Sequence, residues 1–316
     1  MKPILLSSLD LKECENEVKK VKKKFKIIYS KESRRKTLSL IKNCSIYLCS
    51  ASIKVDNELL ENAKKLKYIF TPSTGTDHID KRLIKKKNIK LIHIAKDLSL
   101  IKSFTATSEL GFGLLLSILR NLSTASNAAK KGNWLRSKFK GQQLFNKTIG
   151  IIGYGRLGKI TAKIAKGFGL KILVFDIKKF KNLHHIKFVS LKKLLRSSDY
   201  IFIHVHLTKK TEKLLNKKNM KFIKKNSIII NTSRGKIIDE NSLLYLLKRK
   251  KILGAGLDVI DGEWLSQKKL YSHKLISYSR KNPNLLITPH IGGATFESIV
   301  GARRFILKKI LNISKF

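Results

Sequence analysis

TIGIIGYGRLG, at residues 148–158, decides how this chain folds. Residues 148–152 are almost all apolar and mostly β-branched, so they read as a buried strand. Gly153, Gly155 and Gly158 follow directly, and a helical pattern begins at about residue 157. A strand, a G-x-G-x-x-G turn and a helix in that order open a parallel βαβ unit. The first glycine permits the tight turn, the second lets backbone N–H groups approach a pyrophosphate, and the third allows close helix–strand packing. Arg156 and Leu157 lie between the last two, where the helix N-terminus offers free N–H groups to phosphates. Alone, the loop could equally be a tight turn without a ligand. Asp176 sharpens the reading, because it ends the next predicted strand, 171–175, eighteen residues after Gly158. A carboxylate there accepts from an adenosine ribose and repels a 2′-phosphate, which predicts NAD over NADP. Lys178 and Lys179 weaken that preference.

Outward from this unit, strand and helix patterns alternate in both directions. Downstream, strands are predicted at 200–204, 227–231, 256–259 and 285–287, with helices near 157–167, 191–196, 217–223, 240–249 and 296–311. Upstream, strands are predicted at 3–6, 26–29, 45–49, 68–71 and 91–94, with helices at 11–24, 34–42, 57–66 and 79–87. A Leu-rich helix over about 103–120 and a stretch of mixed polarity over 121–147 separate the two series. Strands alternating with helices predict parallel sheets covered on both faces, and two series predict two doubly wound α/β domains. The expected division is residues 1–101 and 290–316 for a discontinuous substrate domain and 102–289 for the cofactor domain.

The 316 residues are 42% apolar, enough for two cores and unlike a disordered chain. The net charge of +47 invites two readings. Dense basic residues are a footprint for nucleic acid. Yet 12 of the 68 basic residues are Arg, which leaves 56 Lys, and these are spread along the whole chain on predicted polar helix faces. Base readers favour arginine, so the charge is read as a lysine bias and no nucleic-acid partner is expected. Cys14, Cys44 and Cys49 are odd in number and match no zinc spacing, which argues against a disulfide framework and against a metal site. Neither a signal peptide nor a run long enough to span a bilayer is evident, so the expected setting is the cytoplasm.

Three late segments carry residues that chemistry could use: NTSRG at 231–235, GLDVIDGE at 256–263 and TPHIGGAT at 288–295. Each lies at a predicted strand end, the side on which open parallel sheets bind ligands. Arg234, Asp258, Glu263 and His290 are therefore candidates for one site. Each has a plain structural alternative: Arg234 capping a strand, Glu263 one surface carboxylate among many, His290 a satisfied histidine after Pro289. His204 and His206 share a strand face, but no third metal ligand is in sight.

With these segments in view, the chain resembles the D-isomer-specific 2-hydroxyacid dehydrogenases. STGTDHID at 73–80, GNWLR at 132–136, GYGRLG with Asp176, HVHLT at 204–208, NTSRG, GLDV with Glu263 and TPHIGGAT occur in that family's order. The resemblance implies a Rossmann cofactor domain, a flavodoxin-like substrate domain and hydride transfer between NAD and C2 of a small D-2-hydroxy acid. A substrate like 3-phosphoglycerate stays open. It implies that His290 moves the hydroxyl proton, that Glu263 orients His290, and that Arg234 grips the carboxylate. It also implies cofactor contacts from Gly153, Gly155, Arg156, Leu157, Gly158, Asp176, His204, Thr208, Thr232, Ser233, Asp258 and Gly293, with Asp258 accepting from the nicotinamide carboxamide. The backbone of Thr74, Gly75 and Thr76 would hold the substrate carboxylate. A homodimer packed through 103–147 is implied, and no appended regulatory domain is expected. Two rival functions share this fold: an NAD-sensing transcriptional partner and a sugar-acid dehydrogenase of cell-surface polysaccharide synthesis. The chain departs from the family at His206 and Trp264, where proline is usual, and in a somewhat longer stretch between Glu263 and His290.

Overall fold

A computed structural model describes residues 2–178, 183 and 185–313. Lys179, which bears on the NAD preference, lies outside the described residues. The chain divides into two compact units, 1–104 with 295–316, and 105–294.

The first unit holds a parallel sheet of β1 (Ile4–Ser7), β2 (Lys26–Tyr29), β3 (Ile46–Leu48), β4 (Tyr68–Thr71) and β5 (Lys90–His93), in the order β2-β1-β3-β4-β5. That is the flavodoxin-like order. Alternate residues of each strand feed opposite faces. Leu5, Ile46, Leu48 and Phe70 join one core, and Leu6, Tyr47 and Ile69 join the other. The first core is closed by the helices Glu15–Lys24 and Phe296–Leu311. Ile306, Leu307 and Ile310 of the returning helix are fully buried beside Val18 and Val21. Burying each such aliphatic side chain is worth roughly 1.5–3 kcal/mol, so the C-terminal segment is anchored by its apolar stripe.

In the second unit lie β6 (Thr148–Ile152), β7 (Lys171–Phe175), β8 (Ile186–Phe188), β9 (Tyr200–Ile203), β10 (Ile228–Asn231), β11 (Gly254–Leu257) and β12 (Leu285–Ile287). All pair in parallel, in the order β12-β11-β10-β9-β6-β7-β8. The central strands β9 and β10 are buried at every residue, as parallel strands covered on both faces must be. The chain winds outward from β6 through β7, then returns to β9 on its other side. The strand order therefore reverses beside β6, and the glycine turn sits at that switch point.

The structure corrects several details of the sequence reading. Strand β11 is Gly254–Leu257 rather than 256–259. Its Gly-Ala-Gly start has weak strand propensity, but a side chain at Gly256 would collide with Ile230 and Leu114, so packing fixes the strand there. The mixed stretch 121–147 contains the helix Leu122–Ala129, which buries no residue and so leaves no apolar stripe to read. The stretch 264–285 contains two short helices, Gln267–Tyr271 and Lys274–Ser279. Strand β8, only three residues long, was not foreseen. The unit boundaries fall after Phe104 and Ala294, later than expected at both places. Phe104 packs on the first core, while the backbone around His290 is tied to β11.

Candidate active site

Gly153 leaves β6 at φ +96°, and an added Cβ would lie 2.9 Å from the backbone of His204 and from Val205. Only glycine takes this conformation against that wall without strain. At Gly158 a Cβ would meet the Gly153 carbonyl oxygen at 2.1 Å, so helix and turn touch backbone to backbone. Around Gly155 the position of a Cβ is open, with nothing within 4 Å. Gly155 begins the helix Arg156–Gly167, and no side chain caps it. An uncapped helix N-terminus behind an open glycine is what a pyrophosphate requires. Asp176, at the end of β7, accepts from the Tyr154 N–H at 2.6 Å and the Lys178 N–H at 2.8 Å. Its carboxylate is thereby pinned against the turn, with lone pairs to spare for a ribose. These features fit NAD.

His204 ends β9 beside this turn, with its Nε2 2.8 Å from Thr161 Oγ1. Burial, reinforced by the nearby Arg156 charge, pushes its imidazole down to about 4. It is therefore neutral near pH 7, and its Nδ1 has no hydrogen-bond partner. Thr161 links this ring to the helix of the glycine turn. Of the other predicted cofactor residues, Leu157 gives its carbonyl to Ser108 at 3.1 Å, and Thr208 is exposed and bonded to Thr211. Thr232 is buried with an unpartnered hydroxyl, and Gly293 has open space where a Cβ would stand.

The second cluster forms where β10, β11 and β12 end side by side. Asp258, just past β11, is buried and accepts three hydrogen bonds. Its Oδ1 takes Thr288 Oγ1 at 2.6 Å and the Ile291 N–H at 2.8 Å, and its Oδ2 takes the Gly292 N–H at 2.7 Å. Burial raises its carboxyl above the usual range, while these donors and His290 favour the anion. The Asp258 carbonyl also accepts the His290 N–H at 2.8 Å. Asp258 thus holds both ends of the turn that carries His290. That turn needs holding, because His290 sits at φ +55°, a left-handed conformation costly for any residue but glycine.

On the imidazole, Nδ1 lies 2.9 Å from Glu263 Oε1. A carboxylate only accepts, so Nδ1 carries the proton and Nε2 is the nitrogen left for chemistry. Glu263 is mostly buried, its side chain 16% exposed against 30% for His290. Trp264 stacks loosely against the ring, with centroids 5.7 Å apart and planes 36° apart.

The NTSRG segment leaves β10 braced by its own first residue. Asn231 Oδ1 accepts from the Ser233 N–H and hydroxyl, and Nδ2 donates to the Arg234 carbonyl at 3.0 Å. Gly235 then presses on Ile260 and Asp261, where a Cβ would come within 2.0 Å of the Ile260 carbonyl carbon. This contact brings the Arg234 loop against the segment that leads to Glu263. Arg234 Nη1 donates to the Ser233 carbonyl at 2.7 Å. In the first unit, Thr74, Gly75 and Thr76 lie in the loop after β4, beyond Pro72 and Ser73; Thr74 is exposed and Thr76 buried.

The sequence reading missed the bracing roles of Asn231, Asp258 and Thr288 and the ring contact of Trp264. It also missed Glu240, which accepts the Asp261 N–H at 2.8 Å and pairs with His273 Nε2 at 3.3 Å. This tie fastens the long 264–285 stretch to the segment bearing Glu263. Among the described residues, no group of three or more His, Cys, Asp or Glu side chains could hold a metal ion. Nor is any helix there long and apolar enough to cross a membrane.

Comparison with known proteins matches both units to one family. Residues 4–100 match the catalytic domain of the D-isomer specific 2-hydroxyacid dehydrogenases, and 112–292 match their NAD binding domain. A glyoxylate reductase of Thermococcus litoralis is 34% identical over 315 residues, covering 95% of this chain and 91% of that protein. A hydroxypyruvate reductase of Thermotoga maritima is 32% identical over 83% of this chain and 82% of its own length. Among solved structures, a D-lactate dehydrogenase of Aquifex aeolicus in complex with NAD and lactic acid superposes with a TM-score of 0.83. It is 29% identical, covering 97% of this chain and 94% of that one.

Proposed function

The chain belongs to the D-isomer specific 2-hydroxyacid dehydrogenase family, NAD-dependent oxidoreductases acting on a CH–OH group, and from that premise we propose that it interconverts a small, unphosphorylated 2-oxo acid and its D-2-hydroxy acid. The observation that carries this reading is the 2.9 Å pair of His290 and Glu263 in the same unit as the glycine turn. A protein that only sensed NAD would have no use for a proton-transfer pair on a braced turn. The likeness to a glyoxylate reductase and to a D-lactate dehydrogenase, whose substrates are two- and three-carbon acids, supports the small-substrate class.

NAD held at the Gly153–Gly158 turn would supply or accept the hydride at C2. In the reducing direction, His290 donates a proton from Nε2 to the carbonyl oxygen. Glu263 holds the Nδ1 proton and stabilises the imidazolium before transfer. Arg234 offers its planar fork to the carboxylate and polarises the adjacent carbonyl. In the first unit, the backbone of Thr74, Gly75 and Thr76 is the further candidate to bind a substrate carboxylate. Asp258 acts as a positioning residue: three of its acceptor sites serve the His290 turn, and a fourth remains for a carboxamide. The Gly153–Gly158 turn would hold the pyrophosphate, Asp176 the ribose, and Thr232, Ser233 and Gly293 would line the remainder of the cofactor. The first unit serves as the substrate domain and the second as the cofactor domain. We further infer a cytoplasmic homodimer, supported by the exposed apolar side chains of Leu122, Trp134, Leu135 and Phe145 within 103–147.

The test follows NADH absorbance with a panel of 2-oxo acids. Glyoxylate, pyruvate or hydroxypyruvate should be turned over, 3-phosphohydroxypyruvate at least tenfold less well in kcat/KM, and His290→Ala should abolish turnover. NADH binding without turnover of any of them would contradict the reading.

A further inference from the structure

Glu263 and Trp264 are adjacent in sequence, and both reach the same imidazole. Gly262, at φ +79°, opens a tight turn closed by the Leu265 N–H on the Gly262 carbonyl at 2.9 Å. Glu263 and Trp264 are the two central residues of that turn. One delivers a carboxylate oxygen to Nδ1 in the ring plane. The other sets an indole beside the ring, with centroids 5.7 Å apart and planes tilted by 36°.

We propose that Trp264 is a positioning residue for the proton transfer: it fixes the plane of the His290 ring so that Nε2 points in one direction throughout turnover. The inference rests on the reading of His290 as the proton donor. A single hydrogen bond at Nδ1 leaves the imidazole free to rock about the Nδ1···Oε1 line. An aromatic wall removes that freedom, and its π-face favours the imidazolium that must form before proton donation. The wall has a reason to exist in this chain. Trp264 stays 46% exposed, so packing in the core does not account for a tryptophan here. The His290 backbone is held separately by Asp258, so removal of the indole loosens the ring without releasing the turn.

The test combines turnover with fluorescence of the full chain. Trp134 is the other tryptophan and is 83% exposed, so Trp134→Phe leaves Trp264 as the single indole emitter. In that background His290→Ala should brighten the emission, because the imidazole that quenches it has gone. Trp264→Ala and Trp264→Leu should each lower kcat about tenfold, with KM for NADH changed less than twofold, since small misplacements of a catalytic group are costly. Trp264→Phe should restore at least half of the wild-type kcat, because it returns an aromatic face. Unchanged emission in His290→Ala overturns the contact. A kcat within twofold of wild type in Trp264→Ala, or Phe no better than Leu, overturns the positioning role while leaving His290 as the donor. Turnover that survives His290→Ala contradicts the parent reading instead, and the inference falls with it.

Discussion

The two turns at the heart of the second unit solve the same problem in opposite ways. Both carry a residue in the left-handed region, Gly153 at φ +96° and His290 at φ +55°. At Gly153 the answer is composition: without a Cβ there is nothing to strain and nothing to strike His204. At His290 glycine is not available, since the proposed chemistry uses the side chain. The cost of the conformation is offset from outside, by the carboxylate and carbonyl of the buried Asp258, which lies thirty residues in sequence from Thr288, one of the donors of the turn itself. A turn that binds can be built from local sequence. A turn that reacts has to be braced by residues brought in from neighbouring strands.

Breaking the brace should have the largest effect on stability. Asp258→Ala leaves the Ile291 and Gly292 N–H groups and the Thr288 hydroxyl without their acceptor in a buried site. Unsatisfied buried donors cost about 1–3 kcal/mol each and do not add fully, so a loss of about 3–5 kcal/mol is expected in urea unfolding. Activity should fall with it while the far end of the cofactor site stays intact. A loss under 1 kcal/mol would mean that the turn holds itself.

An intermediate effect is expected on the other side of the comparison, where His204 backs onto Gly153. Its folded imidazole lies near 4, below the ordinary 6.5 of the unfolded chain. The unfolded state therefore takes up the proton first as pH falls. Stability is complete above about 6.5 and declines through the window down to about 4, by at most roughly 3 kcal/mol. Because carboxylates titrate in part of that window, the measurement is a difference: His204→Gln should lose less stability than wild type between pH 7 and 4.5. Identical acid profiles would place the ring in water rather than in the fold.

The smallest of the three is expected at the glycine turn itself. Gly153→Ala should cost about 1–3 kcal/mol in backbone strain and contact, with NADH affinity reduced by about tenfold and His290 left in place. If its effect exceeded that of Asp258→Ala, the contrast drawn between the two turns would be reversed.

The same contrast explains what could be read from the sequence. Strands β6, β9 and β10 were legible because parallel strands buried on both faces are apolar runs, here rich in Ile with Phe and Tyr. The glycine turn was legible because each glycine answers a local steric demand. Asp176 was legible from its spacing. Strand β11 was displaced in the reading because its Gly-Ala-Gly start is selected by Ile230, Leu114 and Asn284 across the packing interface, not by propensity. The candidates Arg234, Glu263 and His290 were visible as residue types at strand ends, and the last two lie within hydrogen-bond distance of each other. What holds them was not visible. The use of Asp258 as a brace depends on the register of β11 against β12, and the Trp264 contact on a turn closed by Leu265. Neither leaves a periodic trace in the chain. The helices within 264–285 escaped notice because each is only five or six residues long, held by ties such as Glu240–His273.

The account depends most on the imidazole at the end of β12 as the group that moves the proton. Single-turnover oxidation of bound NADH by glyoxylate, compared between the wild type and His290→Ala, tests this directly. The transient should slow by 10²–10⁴-fold, the usual worth of a positioned acid, while the NADH dissociation constant stays within twofold. A transient slowed by less than about fivefold, with the substrate still reduced, would contradict that assignment.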